Sequence, residues 1–287
     1  MKHKFNKIYI EITNICGLEC SFCPTKILQN KIISLDNFNN ILQQIKPFTK
    51  DIALHVFGDP LTLSNLKEYL DLALLYNINV HITTTGYYLN NFDLNLFLHK
   101  SIKQINFSLN SFNKNDLKLT LEEYMIPMIE LSKLKLDSNR GHFINFRLWN
   151  IDSSNSEDRF NKDVFNILEK NFNIKLENID YKDPIRLENK IKLHFDNYFK
   201  WPSLDDDVET NGYCYGLNSQ IAILSDGTVT ACCLDSYGSI NLGNIFNDNL
   251  DHILNSKRSI DIIEGFKNGI AVETLCKKCT FKHRFDK

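Results

Sequence analysis

Residues 14–25 read Asn14-Ile15-Cys16-Gly17-Leu18-Glu19-Cys20-Ser21-Phe22-Cys23-Pro24-Thr25, and this stretch decides the fold. Cys16, Cys20 and Cys23 form a CxxxCxxC spacing directly after a short β-branched run at 8–12. Thiolates spaced so closely are the expected ligands of an iron–sulfur cluster or of structural zinc. Three thiolates from one loop hold three corners of a [4Fe–4S] cube and leave one iron open. Structural zinc wants four protein ligands, and this loop holds no fourth Cys or His. A zinc site would have to borrow a distant His55 or His81. An open iron at the mouth of a β/α sheet is a site for chemistry.

Outward from this loop, strand-like segments at 8–12, 52–57, 78–84, 104–109, 143–149 and 174–181 alternate with amphipathic ones near 35–45, 64–76, 92–98, 117–134 and 164–172. In the second of these, Leu66, Tyr69, Leu70, Ala73 and Leu74 follow one helical face. Pro127 interrupts the fourth and is expected to kink or restart it. Six βα units imply a parallel sheet with crossover helices. Eight would close a full barrel, so six predict a partial (β/α)6 barrel, open on one side, over residues 1–182. Residues 183–211 turn polar, with Asp205-Asp206-Asp207, and read as a solvated linker. A small α+β domain is expected over 212–287. Its apolar runs at 219–224 and 228–232 flank Ser225-Asp226-Gly227, a hairpin signal, and helices follow near 249–254 and 259–266.

Composition bounds the function. The 287 residues are 43% hydrophobic and 24% charged, enough for a substantial core. Thirty-three basic against 35 acidic side chains leave a formal charge of −2, which removes the bulk electrostatic case for a nucleic-acid partner. No run approaches the roughly 20 apolar residues of a membrane span, and 8–12 is too short for a signal-peptide core. These features, with cysteines in two ligand-like groups, predict a cytoplasmic protein. The groups are Cys16, Cys20 and Cys23, then Cys214, Cys232, Cys233, Cys276 and Cys279.

The first group resembles the signature of the radical S-adenosylmethionine (SAM) enzymes, CxxxCxφC with an aromatic φ, here Phe22. The likeness extends through the first ~180 residues. Gly58-Asp59-Pro60 stands where the family has a Gly-Gly-Glu-Pro-like turn for the methionyl amino group, with Phe57 for the first Gly and Asp59 for Glu. Thr85-Gly86 follows the third strand like the family's Asn-Gly turn, with Thr85 for Asn. Ser108-Leu109-Asn110 resembles its Ser-x-Asp ribose contact, with Asn110 for Asp. Arg147, on the fifth strand, is placed to reach the SAM carboxylate or the substrate. Taken singly, Gly58-Asp59-Pro60 reads as an ordinary turn and Ser108 or Asn110 as a helix cap; their order at successive strand ends makes the set specific. The resemblance implies a SAM-chelating [4Fe–4S] cluster, reductive cleavage of SAM to a 5′-deoxyadenosyl radical, and an electron donor such as flavodoxin or ferredoxin.

Cys214 before the hairpin, Cys232 after it and the Cys276/Cys279 pair resemble the auxiliary-cluster half of the SPASM/twitch branch, with spacing similar to 2-deoxy-scyllo-inosamine dehydrogenase. On spacing alone a zinc ribbon fits equally well. The resemblance implies one auxiliary [4Fe–4S] cluster on these four thiols, since the chain stops eight residues after Cys279. Adjacent strand residues point to opposite faces, so one of Cys232 and Cys233 ligates; the resemblance selects Cys232. A cluster with every iron closed suits electron transfer. The expected function is therefore a radical oxidation, dehydrogenation or bond formation, of a small-molecule or peptide substrate that no motif identifies. Peptide modification is the alternative, disfavoured because the first strand begins too early for a leader-binding domain before it. A zinc-bound interaction module on a degenerate barrel is the non-enzyme alternative. No motif identifies a catalytic acid or base.

Overall fold

The computed structural model describes residues 3–151, 155–198 and 200–285. Met1, Lys2, 152–154, Phe199 and 286–287, which fall within the expected domains and linker, lie outside the described residues. The chain runs β1 (Lys7–Ile10), α1 (Leu35–Ile45), β2 (Asp51–Ala53), α2 (Leu66–Leu75), β3 (Asn79–Thr84), β4 (Ile102–Ser108), α3 (Asn110–Asn113), α4 (Leu121–Asp137), β5 (Phe143–Leu148) and α5 (Asn155–Phe172). It continues with β6 (Ile185–Glu188), β7 (Ile191–Phe195), β8 (Gln220–Ile223), β9 (Thr228–Thr230), β10 (Gly243–Asn244), α6 (Leu250–Leu254), α7 (Lys257–Lys267) and α8 (Thr274–Lys278).

Helix ends are set by local chemistry. The Ser34 hydroxyl accepts from the Asn37 N–H at the start of α1, and Phe38, Ile41, Leu42 and Ile45 form its buried stripe. Thr120 and Glu123 make a reciprocal capping box on α4. Pro127 lies inside that helix without ending it, contrary to the expected restart. The expected helix at 92–98 is instead a short 3-10 turn, Leu94–Leu98.

One ten-stranded sheet forms, in the order β10-β9-β8-β1-β2-β3-β4-β5-β7-β6. From β8 to β7 every pairing is parallel, and the two outer hairpins supply the antiparallel strands. The expected strand at 174–181 is irregular, because Asn173 and Asn178 take left-handed backbone (φ 51° and 52°) that breaks an extended run. The sixth parallel strand of the barrel is β7, inside the stretch expected as linker. Its turn rests on Lys190 at φ 60° and lacks the Asn-Gly signature of a hairpin. The C-terminal hairpin was expected in a separate unit; its strand β8 pairs in parallel with β1, Lys7 opposite Gln220, and extends the same sheet.

Side-chain alternation gives the sheet two unlike faces. Ile8, Ile10, Ile82, Phe107, Phe146 and Leu193 are fully buried on one face, in the main apolar core. Lys7, Tyr9, His55, Asn106, Asn145 and Arg147 occupy the other. Laid flat, β1 and β5 would stand roughly 19 Å apart. The Arg147 guanidinium nonetheless acts on Lys7 and on His55. The sheet therefore curls around its polar face into a partial barrel, with open edges at β10 and β6.

Candidate active site

The three-cysteine loop leaves β1 at the C-terminal edge of the sheet. Asn14 ties the loop's two limbs together: its Oδ1 accepts from the Lys31 N–H and its Nδ2 donates to the Gln29 carbonyl, both at 2.8 Å. Cys20 is buried, Cys16 half-buried and Cys23 exposed. A hydrogen bond from Cys23 holds the Cys20 thiol down to about 6, with help from Asn115 and Ser111. Asn115 Nδ2 lies 3.0 Å from Cys20 Sγ, and its Oδ1 accepts from the Glu19 N–H at 2.9 Å. Donors aimed at sulfur favour the thiolate, the form that binds metal. Burial and the Asp59 carboxylate push Cys16 the other way, up to about 12. Phe22 packs on Tyr198 with ring centroids 5.7 Å apart. Asn115 was not foreseen from sequence; it sits 95 residues from Cys20, beyond any local spacing rule.

The turn after β2 is locked against this loop. A Cβ on Gly58 would stand 2.1 Å from the Thr13 carbonyl oxygen, so only glycine permits the approach. The Asp59 N–H donates to the Ile15 carbonyl at 2.9 Å, and Pro60 opens a 3-10 turn. Asp59 is 2% exposed. Its Oδ2 accepts from Thr84 Oγ1, Thr85 N and Thr85 Oγ1 at 2.8–2.9 Å, and its Oδ1 from the Leu61 N–H at 2.9 Å. The side chains of Asp59 and Thr85 thus engage one another and join the ends of β2 and β3. What they leave facing a ligand is the backbone of the turn. Burial pushes the Asp59 carboxyl above its ordinary value, against four donors that hold it down.

Ser108 lies opposite Arg147 in the β4–β5 register. Asn110 is buried; its Oδ1 accepts from the Trp149 N–H at 2.8 Å, while its Nδ2 has no partner. A buried amide donor without an acceptor costs about 1–3 kcal/mol, and a ribose hydroxyl oxygen would satisfy it. The Arg147 guanidinium stacks 4.8 Å from the Trp149 ring. The donor set at the strand ends fits a SAM ligand beside a three-thiolate cluster.

Among the later cysteines, burial pushes Cys214, Cys232, Cys276 and Cys279 all upward. Cys214 feels Cys279; Cys232 feels Cys233, Cys214 and Cys276; Cys276 feels Cys214 and Cys279; and Cys233 feels Cys214. The four thiols therefore gather from three separate segments. Cys233, which lies near Cys232 and Cys214, also bonds the Tyr9 hydroxyl on the polar face of the sheet. Among the described residues, no three side chains of His, Cys, Asp or Glu converge on a single metal ion. A cube takes its thiolates one per iron, so its ligands need not meet at one point. Buried Asp235 braces the segment after Cys233 by accepting from Thr230 Oγ1 and from the Ser239 and Ile240 N–H groups.

Glu11, which no motif marks, bridges three strand ends. Its two carboxylate oxygens accept from the Phe57 N–H at 3.0 Å and the Ser225 N–H at 3.1 Å. Burial raises its pKa from 4.5 to about 7. Between those values the unfolded chain releases a proton that the folded chain keeps. This contribution is complete below about pH 4.5, falls as pH rises, and is lost above about pH 7. We expect a decline of about 3 kcal/mol, absent from Glu11→Gln, in urea midpoints measured across that range. Equal slopes in the two proteins would assign the titration to another group.

The fold and the thiol loop define a cluster-binding SAM enzyme of the partial-barrel type. The sequence profile of the radical SAM superfamily matches residues 10–152, and that of the SPASM iron–sulfur cluster-binding domain matches 214–280. The chain belongs to the radical SAM superfamily and carries a SPASM region. Its cofactors are accordingly a [4Fe–4S] cluster, SAM and auxiliary iron–sulfur. Among solved structures, BtrN in complex with AdoMet and 2-DOIA aligns at 17% identity over 98% of this chain and 94% of that one, with a TM-score of 0.57. Streptococcus suis SuiB bound to S-adenosylmethionine aligns at 14% over 99% and 75%, with a TM-score of 0.63. Native anSMEcpe with bound AdoMet and Kp18Cys peptide aligns at 14% over 96% and 86%, with a TM-score of 0.59. These likenesses concern the fold. No sequence relative is found among curated proteins. No helix among the described residues is long and apolar enough to cross a membrane.

Proposed function

We propose that the chain is a radical SAM oxidoreductase, with a barrel unit running through β7 and an auxiliary-cluster unit from Gly212 onward. Cys16, Cys20 and Cys23 hold the SAM-chelating [4Fe–4S] cluster. The Gly58-Asp59-Pro60 turn, Thr85, Ser108 and Asn110 shape the SAM pocket, Asp59 and Thr85 by fixing the turn and Asn110 by its open Nδ2. Cys214, Cys232, Cys276 and Cys279 hold one auxiliary [4Fe–4S] cluster. When bound, the first cluster and SAM supply a 5′-deoxyadenosyl radical that takes a hydrogen atom from a substrate C–H.

The observation that carries this reading is the arrangement of the later thiols. Cys214, Cys232, Cys276 and Cys279 lie near enough to act on one another, and the bond of Cys233 to Tyr9 supports leaving that thiol out of the ligand set. Four thiolates leave no iron open to substrate, so the cluster suits electron acceptance, and a two-electron oxidation of the substrate follows. A flavodoxin or ferredoxin type of donor fits the first cluster's need for an electron.

Peptide modification is the second reading, favoured by SuiB bound to precursor peptide SuiA, which aligns with a TM-score of 0.61. Anaerobic reconstitution separates either from a zinc module. We expect about eight iron per chain, and about four after Cys16, Cys20 and Cys23 are all changed to Ala. Dithionite-reduced protein should convert SAM to 5′-deoxyadenosine, and the triple variant should not. Stoichiometric zinc without deoxyadenosine would overturn the proposal.

A further inference from the structure

Parallel sheets are ordinarily apolar on both faces, yet the concave face here carries Lys7, Tyr9, His55, His81, Arg147 and His194. Its acids are already engaged. Asp51 bonds Lys103 Nζ at 2.6 Å and His81 Nε2 at 2.9 Å. Glu11 is capped by two backbone N–H groups, and Asp196 pairs with Arg284 at 2.8 Å. Among the described residues no carboxylate lies within 4.0 Å of Lys7 or Arg147. Lys7 Nζ sits 6.0 Å from the Tyr9 ring centroid, and Arg147 is held flat on Trp149. His55 packs edge-on against Tyr9, and its buried Nδ1 has no partner. Burial and the two cations keep His55 neutral at ordinary pH. The face thus has two cations without an ion-pair partner, each beside an aromatic ring, and an unsatisfied imidazole that feels both cations. Asp51 acts on Lys7 and Asp196 on Arg147 only from beyond pairing distance.

We infer that the substrate carries an anionic group, a carboxylate or phosphate, that docks on this concave face against Arg147, with Lys7 opposite. The inference rests on the radical SAM reading and names the substrate class for that site. A planar guanidinium presents paired donors to either anion. Trp149 joins this subsite to the SAM pocket, since its ring carries Arg147 and its N–H engages Asn110. A substrate anchored on Arg147 would therefore lie beside the expected ribose position. SAM has a carboxylate of its own, and the test must separate the two anions.

Isothermal titration of inorganic phosphate and of succinate into reconstituted holoenzyme, with and without saturating SAM, does so. We expect both anions to bind while SAM is present. Arg147→Gln should weaken that binding about tenfold or more, and Arg147→Lys by less. Anions that bind only when SAM is absent would assign Arg147 to the SAM carboxylate and overturn the inference. Absence of binding to the unaltered holoenzyme, or equal binding by the Gln variant, would overturn it as well. The competition with SAM needs only unaltered protein, so it decides even if both variants misfold. Failure of the enzyme reading itself would show separately, as no deoxyadenosine from the same batch.

Discussion

Asp59→Ala destabilises the protein by about 4 kcal/mol, and Asp59→Asn, which has the same shape, by about 1–3 kcal/mol. Three donors meet at Asp59 Oδ2, two from Thr85 and one from Thr84. An Asn that keeps its oxygen on those three donors turns its NH2 into the Leu61 N–H and loses that one bond. Ala leaves all four donors without an acceptor in a site closed to solvent. The Ala change also frees the Gly58 turn from the end of β3, and SAM affinity should fall at least tenfold with it, and by less in the Asn variant. Anaerobic urea melts and SAM titrations of the two variants measure both effects. Burial works to neutralise this carboxyl, and Asn imitates a protonated Asp. An Asn variant as stable as wild type would mean that the native carboxyl is neutral, with the threonine hydroxyls turned round to accept.

Changing Cys276 and Cys279 together to Ala removes the second cluster and suppresses substrate oxidation at least tenfold, while deoxyadenosine still forms. Hydrogen abstraction requires the first cluster, but the remaining electron needs an acceptor. The two cysteines lie at α8 and its C-cap, more than 200 residues along the chain from the Gly58-Asp59-Pro60 turn. Iron should fall from about eight to about four per chain. Metal binding here is also folding energy, so circular dichroism must accompany single-turnover measurement of product and deoxyadenosine in one sample. Undiminished product from a folded variant with four iron would reduce the second cluster to a staple.

Both cysteine groups were legible because ligand spacing and hairpin chemistry are local. The strand-end segments could be placed for the same reason: Thr85, Ser108 and Asn110 lie within two residues of the ends of β3 and β4, and Gly58-Asp59-Pro60 begins five residues after β2. What lies between segments was not. Asn115 reaches Cys20 across 95 residues, and Glu11 joins Phe57 to Ser225, 46 and 214 residues away. Strand β7 escaped notice because its turn uses Lys190 in a conformation that Gly or Asn usually takes. The segment 174–181 has strand-like alternation, but two left-handed asparagines override it. The polar face had a sequence trace in Lys7-Ile8-Tyr9-Ile10-Glu11-Ile12, where polar and apolar residues alternate. That trace shows a strand with unlike faces; only the curl of the sheet shows that the polar face is concave.

The pairing of β8 with β1 sets the order in which the molecule can be made. Strand β1 leaves the ribosome first, and β2 follows soon enough to pair with it. Its other edge waits for Gln220, 213 residues after Lys7. Contacts of such separation slow folding, and until they form β1 presents an open strand edge to other chains. The loop of Cys16, Cys20 and Cys23 hangs from that strand, and Glu11 cannot reach Ser225 before β8 arrives. The structural setting of the first-synthesised cysteines is therefore completed only after most of the polypeptide has emerged.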